Sequence, residues 1–149
     1  MAQLATVKVS AVRGAVKGRV IIAARNHHLV VDAPPLIGGR NEAINTVEMF
    51  LAPLAACGVM FIEHLAQEMG VRLEEVRAFV EGDFDPRGVQ GEEVDPILQT
   101  IRFRYEVRGP RQEEAERLTE GFRQRCPLYR TVARAVAISE ELCVEEGAG

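Results

Sequence analysis

The stretch "NTVEMFLAPLAACGVMFIEHLAQEMG", residues 45–70, decides the fold of this 149-residue chain. Asn45 stands three residues before Glu48. That is the spacing of a capping box, in which an N-cap side chain and a third-position acid satisfy each other's free backbone N–H groups. Gly70 follows the last apolar turn, where a left-handed cap is wanted. The spacing predicts a helix over roughly 46–69. Its middle, "MFLAPLAACGVMFIEHLA", is apolar almost all round, as in a helix buried on most sides within the domain or against a second subunit. Pro53 lies inside it, four residues before Cys57. It removes one backbone hydrogen bond and predicts a kink about one turn upstream of that sulfur.

Strand patterns lie on both sides of this helix. "ATVKVSAV" alternates apolar and polar residues and reads as a strand with one buried face. "GRVIIAA" and "HLVVDA" flank "RNHH", giving strand, turn, strand. "APPLIGGRNEA" is a loop broken by prolines and glycines. After the helix, "VRAFVEGDFD" reads as a strand and "ILQTIRFRYEVRG" as a clearer one. Ile101, Phe103, Tyr105 and Val107 point one way, and Arg102, Arg104, Glu106 and Arg108 the other. That alternation predicts antiparallel sheets with one wet face. "PRQEEAERLTEGFRQR" opens on proline and acids and closes on arginines, in line with the helix dipole. Cys126-Pro127 opens a short helix, "PLYRTVARA", and "ISEELCVEE" is a last strand. Strands in runs with segregated helices mean an α+β fold. The length suits one domain over residues 1–149 with a core of its own.

Composition narrows the function. About half the residues are hydrophobic, a quarter are charged, and the net charge is −4. Nothing here points to a nucleic-acid partner. No apolar run is read as reaching the roughly 18 residues that cross a membrane. The N-terminus, "MAQLATVKVS", lacks the apolar core of a signal peptide. The expected compartment is the cytoplasm, where stable structural disulfides are rare, and three cysteines make an odd set for a disulfide scaffold.

Two cysteine contexts carry the chemical interest. Cys126 precedes a proline at a helix start, where the helix dipole favours thiolate. Cys57 sits about three turns into an apolar helix, where burial raises a thiol's pKa unless a cation reaches it. The plainer reading is that both are small buried hydrophobes. Glu48 is likewise accounted for by the capping box, and Cys143 as a structural residue of the last strand. His27, His28 and His64 have no metal-ligand spacing with the cysteines. His64, seven residues after Cys57 and so near the same helix face, reads as a buried, hydrogen-bonded histidine. "EEAERLTE" reads as a solvated helix face.

The run "RNHHLVVDAPPLIGGRNEAINTVEMFLAPLAAC", Arg25 to Cys57, resembles the signature of the OsmC/Ohr family. Arg25 and His27, Asp32 and Pro34, Gly38 and Gly39, Asn45 and Glu48, and Cys57 match without a gap. Cys126-Pro127 matches the second cysteine. The proline usual two residues before the glutamate is Thr46 here, and Asn45 still supplies the cap. The resemblance implies an intertwined homodimer with antiparallel sheets around a long buried helix, and active sites at the subunit interface. It implies a thiol peroxidase without cofactor or metal. Cys57 attacks the O–O bond of an organic hydroperoxide and becomes a sulfenic acid, with hydrogen peroxide as a further substrate. Cys126 condenses with it to a disulfide, and an external dithiol reduces the product. It also implies an arginine, held by Glu48, that stabilises the thiolate; Arg25 is the best match, with Arg19 and Arg40 left open. Phe50, Leu54, Met60 and Phe61 would give an apolar wall for organic peroxides, or serve simply as core and interface. Two other functions stay open. One is a non-catalytic dimer of the same fold that binds a small hydrophobic ligand between subunits. The other is a metal-binding protein, for which the ligands are not grouped.

Overall fold

The structure, a computed structural model, describes residues 3–147. The chain forms two compact units that divide between Met49 and Phe50.

In the first unit, β1 (Ser10–Arg13), β2 (Arg19–Ala24) and β3 (His27–Asp32) form an antiparallel sheet in that order. Ala24 faces His27 and Arg19 faces Asp32, so the β2–β3 turn is only Arg25 and Asn26. Arg25 takes φ 55°, the positive φ that tight hairpin turns demand at a central position. The first strand corrects the sequence reading. It was expected from residue 5 with one buried face, yet it spans four residues and all are exposed. Its register runs from Ser10 opposite Ala23 to Arg13 opposite Val20, four of the six residues of β2.

In the second unit, β4 (Glu75–Asp83), β5 (Thr100–Gly109) and β6 (Ala137–Glu146) form the sheet, with β5 central. Ile101, Phe103, Tyr105 and Val107 are buried, as their alternation required. β4 pairs antiparallel with β5, but β6 pairs parallel with it. This corrects the expectation of wholly antiparallel sheets. The chain leaves β5 and runs through α2 (Gln112–Arg125) and α3 (Pro127–Val132) before returning. A helical crossover of that length is what joins parallel neighbours.

The long helix α1 covers Thr46–Met69, the bounds expected of it. Asn45 Oδ1 accepts from the Val47 and Glu48 N–H groups at 2.9 and 3.0 Å, and Glu48 Oε2 accepts from the Asn45 N–H at 2.8 Å. Gly70 follows at φ 62°. Leu54, Gly58, Ile62 and Leu65 form its buried stripe and join the core with β5 and α2. The helix is less buried than its composition suggested. Phe50 and Met60 are exposed within the single chain, and α1 runs unbroken through Pro53. It is also long and apolar enough to cross a membrane, with 28 % of that window buried. That corrects the expectation that no segment reaches such a length. Its acids, Glu48, Glu63 and Glu68, lie toward the ends and leave the middle uncharged.

Candidate functional site: a pair of facing thiols

Cys126 is placed by the break between α2 and α3. A residue before proline is kept out of the helical region, and Cys126 is extended, at φ −76° and ψ 117°. One residue therefore caps two helices. The Cys126 N–H donates to the Phe122 carbonyl at 2.9 Å, ending α2. Its Sγ accepts from the Tyr129 N–H at 3.4 Å, starting α3. The side chain is fully buried.

Cys57 approaches from α1. It lies beside Gly58 on the edge of the buried stripe and is half-buried against the same core. The Cys126 thiol is its immediate neighbour, and both are free thiols. Burial, and then the neighbouring Cys126, push the Cys57 thiol up to about 11. This agrees with the expectation for a thiol in an apolar helix. Among the described residues, the influences on Cys57 are these two, and no guanidinium is one of them.

The other expected site residues lie as follows. The Glu48 carboxylate closes the capping box. Arg25 is exposed at the β2–β3 hairpin tip. Arg19 is committed elsewhere. Its Nη2 lies 3.2 Å from Asp32 Oδ2, and it also pairs with Glu42. The Glu42 N–H, 3.0 Å from Asp32 Oδ2, and then the Arg19 guanidinium hold the buried Asp32 carboxyl below the usual carboxylate range. This cluster fastens the loop after β3. Arg40 is exposed. Leu54 is buried and Phe61 half-buried, whereas Phe50 and Met60 are open.

Two sequence readings are corrected. His64 is exposed rather than buried, with Nε2 3.3 Å from Glu68 one turn on, because it falls on the face away from the core. Cys143 is exposed rather than packed. It stands on the outer face of β6, its Sγ 3.8 Å from Glu141 Oε1.

A polar group beside the thiols was not anticipated. Glu140 is opposite Phe103 in the β5–β6 register and points inward with it. Arg123 Nε of α2 pairs with its Oε2, and Arg123 Nη1 is 2.8 Å from Glu120. The Tyr129 hydroxyl lies beside Glu140. Burial first, then the Glu140 charge, push that phenol up to about 12. Tyr105 has its ring against Gly58: a Cβ there would lie 3.1 Å from Tyr105 Cε1. A signal was present. In "AISEELCVEE", Ile138, Leu142 and Val144 share a face, and Glu140 breaks their alternation.

Residues 39–141 match the family model described as OsmC-like protein. This chain belongs to the OsmC-like family. Among solved structures, an OsmC-like protein from Mycoplasma pneumoniae superposes with a TM-score of 0.81 at 17 % identity, covering 95 % of this chain and 98 % of that one. An organic hydroperoxide resistance protein from Elizabethkingia anophelis gives 0.72 at 19 %, with 99 % and 100 % covered. One from Legionella pneumophila, described as an organic hydroperoxide resistance protein OsmC and predicted redox protein, gives 0.69 at 24 %, with 97 % and 99 % covered. No curated protein matches the sequence significantly. The OsmC-like fold accounts for the element order here, including the helix that delivers Cys57.

Proposed function

We propose that this OsmC-like protein is a cytoplasmic thiol peroxidase that reduces organic hydroperoxides, with hydrogen peroxide as a further substrate, in defence against oxidative stress. The observation that carries the reading is the contact between the Cys57 and Cys126 thiols. A sulfenic acid on one sulfur meets the other at once, which protects it from over-oxidation. Cys57, the more accessible, attacks the O–O bond and releases the alcohol. Cys126, fully buried, closes the disulfide and expels water. An external dithiol then restores both thiols.

At neutral pH a thiol with a pKa near 11 is protonated, so Cys57 needs a cation before it can attack. Glu48 and Arg25 enter the reading as the acid and the guanidinium that meet this need. We also propose that the working form is a homodimer. The exposed Leu29, Val30, Phe50 and Met60 are the kind of surface a second subunit covers.

The raised Cys57 pKa favours a second reading, in which the thiols are inert and the dimer binds a small hydrophobic ligand. One experiment separates the two. Wild type, Cys57→Ser and Cys126→Ser are treated briefly with one equivalent of an organic hydroperoxide, then analysed by intact mass and free-thiol count. Catalysis requires wild type to lose two thiols and two hydrogens, Cys126→Ser to gain one oxygen, and Cys57→Ser to stay unchanged. If all three proteins keep their thiols over minutes, the enzyme reading fails and the ligand-binding reading stands.

A further inference from the structure

An acid stands on the inward face of β6, between Ile138 and Leu142 and opposite the buried Phe103 of β5. The Glu140 side chain is 11 % exposed, and its Oε2 accepts from Arg123 Nε of α2. Arg123 Nη1 also lies 2.8 Å from Glu120, one turn back on the same helix. Taking charges out of water offsets most of their attraction, and apolar residues of similar volume often stabilise as well or better. What the pair adds is direction: a charged donor and a charged acceptor meet in one geometry. Leu118 and Phe122, the large buried side chains of α2, hold the helix by non-directional contacts. The ion pair is therefore what sets where α2 stands along the sheet. Its effect falls on the thiol, because Arg123 is three residues before Cys126. The Cys126 N–H closes that last turn on the Phe122 carbonyl at 2.9 Å. Phe122, Phe103 and Tyr129 form a triangle of rings, with centroids 5.2 to 6.1 Å apart. The Tyr129 N–H, 3.4 Å from Cys126 Sγ, holds the sulfur itself. Printed from Glu140 to Cys126, the contacts are continuous: ion pair, helical turn, rings, N–H.

We propose that Arg123 and Glu140 are positioning residues for the resolving thiol: their ion pair fixes the end of α2 on the sheet and so aims Cys126 at Cys57. The inference rests on the thiol-pair reading above. In the resolving step the Cys126 sulfur attacks the sulfur of the Cys57 sulfenic acid. The S–S bond forms, the S–O bond breaks, and the departing hydroxide leaves as water with the Cys126 proton. Cys126 is oxidised and the Cys57 sulfenic acid is reduced to the disulfide level. Arg123 and Glu140 exchange nothing in the step. They matter because a disulfide tolerates little displacement, its Cα atoms standing no more than about 7 Å apart.

The test bypasses peroxide. In a Cys143→Ser background, Cys57 is converted with Ellman's reagent to its mixed disulfide with thionitrobenzoate. Attack by Cys126 then releases the yellow thiolate, whose appearance times the closure. The variant is the double substitution Arg123→Met with Glu140→Leu, which removes the ion pair without stranding either charge. Closure is expected to slow at least about tenfold, while the rate at which Cys57 first takes up the label stays within about twofold of the parent. A role in stability alone would move the urea midpoint and leave closure in the folded variant unmoved. Should the double variant not fold, Arg123→Lys decides. It keeps a charge beside Glu140 but loses the planar guanidinium that fixes the geometry, and closure is expected to slow at least about threefold. Parent-like closure in whichever folded variant decides overturns the positioning role and leaves the thiol pair intact. A parent that takes up label but never releases it overturns the pair, and the positioning role with it.

Discussion

At the scale of the residue, the chemistry turns on what surrounds two sulfurs. Gly58 lets α1 lie close to β5. A Cβ there would approach Tyr105 Cε1 at 3.1 Å and Ala78 Cβ at 3.4 Å. That closeness is what sets Cys57 at the edge of the core. Desolvation by this packing, followed by Cys126, pushes the thiol up from an ordinary 9.0 to about 11. The sign for stability follows from proton linkage. Between those two values the folded state holds the Cys57 proton that the unfolded chain has released, so rising pH favours unfolding. The contribution is fully present below pH 9 and is lost as pH rises toward 11. Wild type is expected to lose stability across that window more steeply than Cys57→Ser, by urea titration at several pH values. Equal slopes would mean that the Cys57 pKa is not raised.

At the scale of the element, most of the secondary structure was legible. Asn45, Glu48 and Gly70 bracketed α1 correctly, because caps are local hydrogen-bond arithmetic. The β5 alternation placed Tyr105 and its neighbours in the core for the same local reason. Two elements were not legible. Alternation in residues 5–12 promised a longer strand, but alternation does not by itself pair a strand, and the ladder with β2 begins only at Ser10. The wet face of β5 was read as antiparallel pairing throughout, but the β6 direction comes from the crossover through α2 and α3. Pro53 poses a test at this scale. Proline in a helix interior costs about 3 kcal/mol relative to alanine, and Pro53 is exposed, so little packing is at stake. Pro53→Ala is expected to raise stability by up to about that amount in chemical denaturation. No gain would mean that the α1 backbone is already adapted to the ring.

At the scale of the whole molecule, the proposed homodimer explains an unusual distribution of apolar surface. Met60 is 65 % exposed on a helix whose opposite stripe is core. A stable interface buries about 800 Å² per partner around such anchors. Sedimentation of wild type should give twice 16.4 kDa. Met60→Glu places a charge in the expected interface and should shift the population toward single chains while leaving the helix content unchanged by circular dichroism. A wild type that sediments as a single chain would remove the dimer from the proposal.

The sequence by itself determined which segments become helix and strand, and which cysteines sit in chemically suggestive places. Those properties depend on residues within a few turns of one another: caps, alternation, a cysteine before proline. The family signature lay in the same short-range spacings. Only the tertiary structure decided that Cys57 and Cys126, 69 positions apart in the chain, touch. Likewise, only packing turned Glu140 from a misfit in an alternating strand into the partner of Arg123 and the neighbour of Tyr129. Burial, contact and desolvation are sums over elements distant in the chain, and no local pattern contains them.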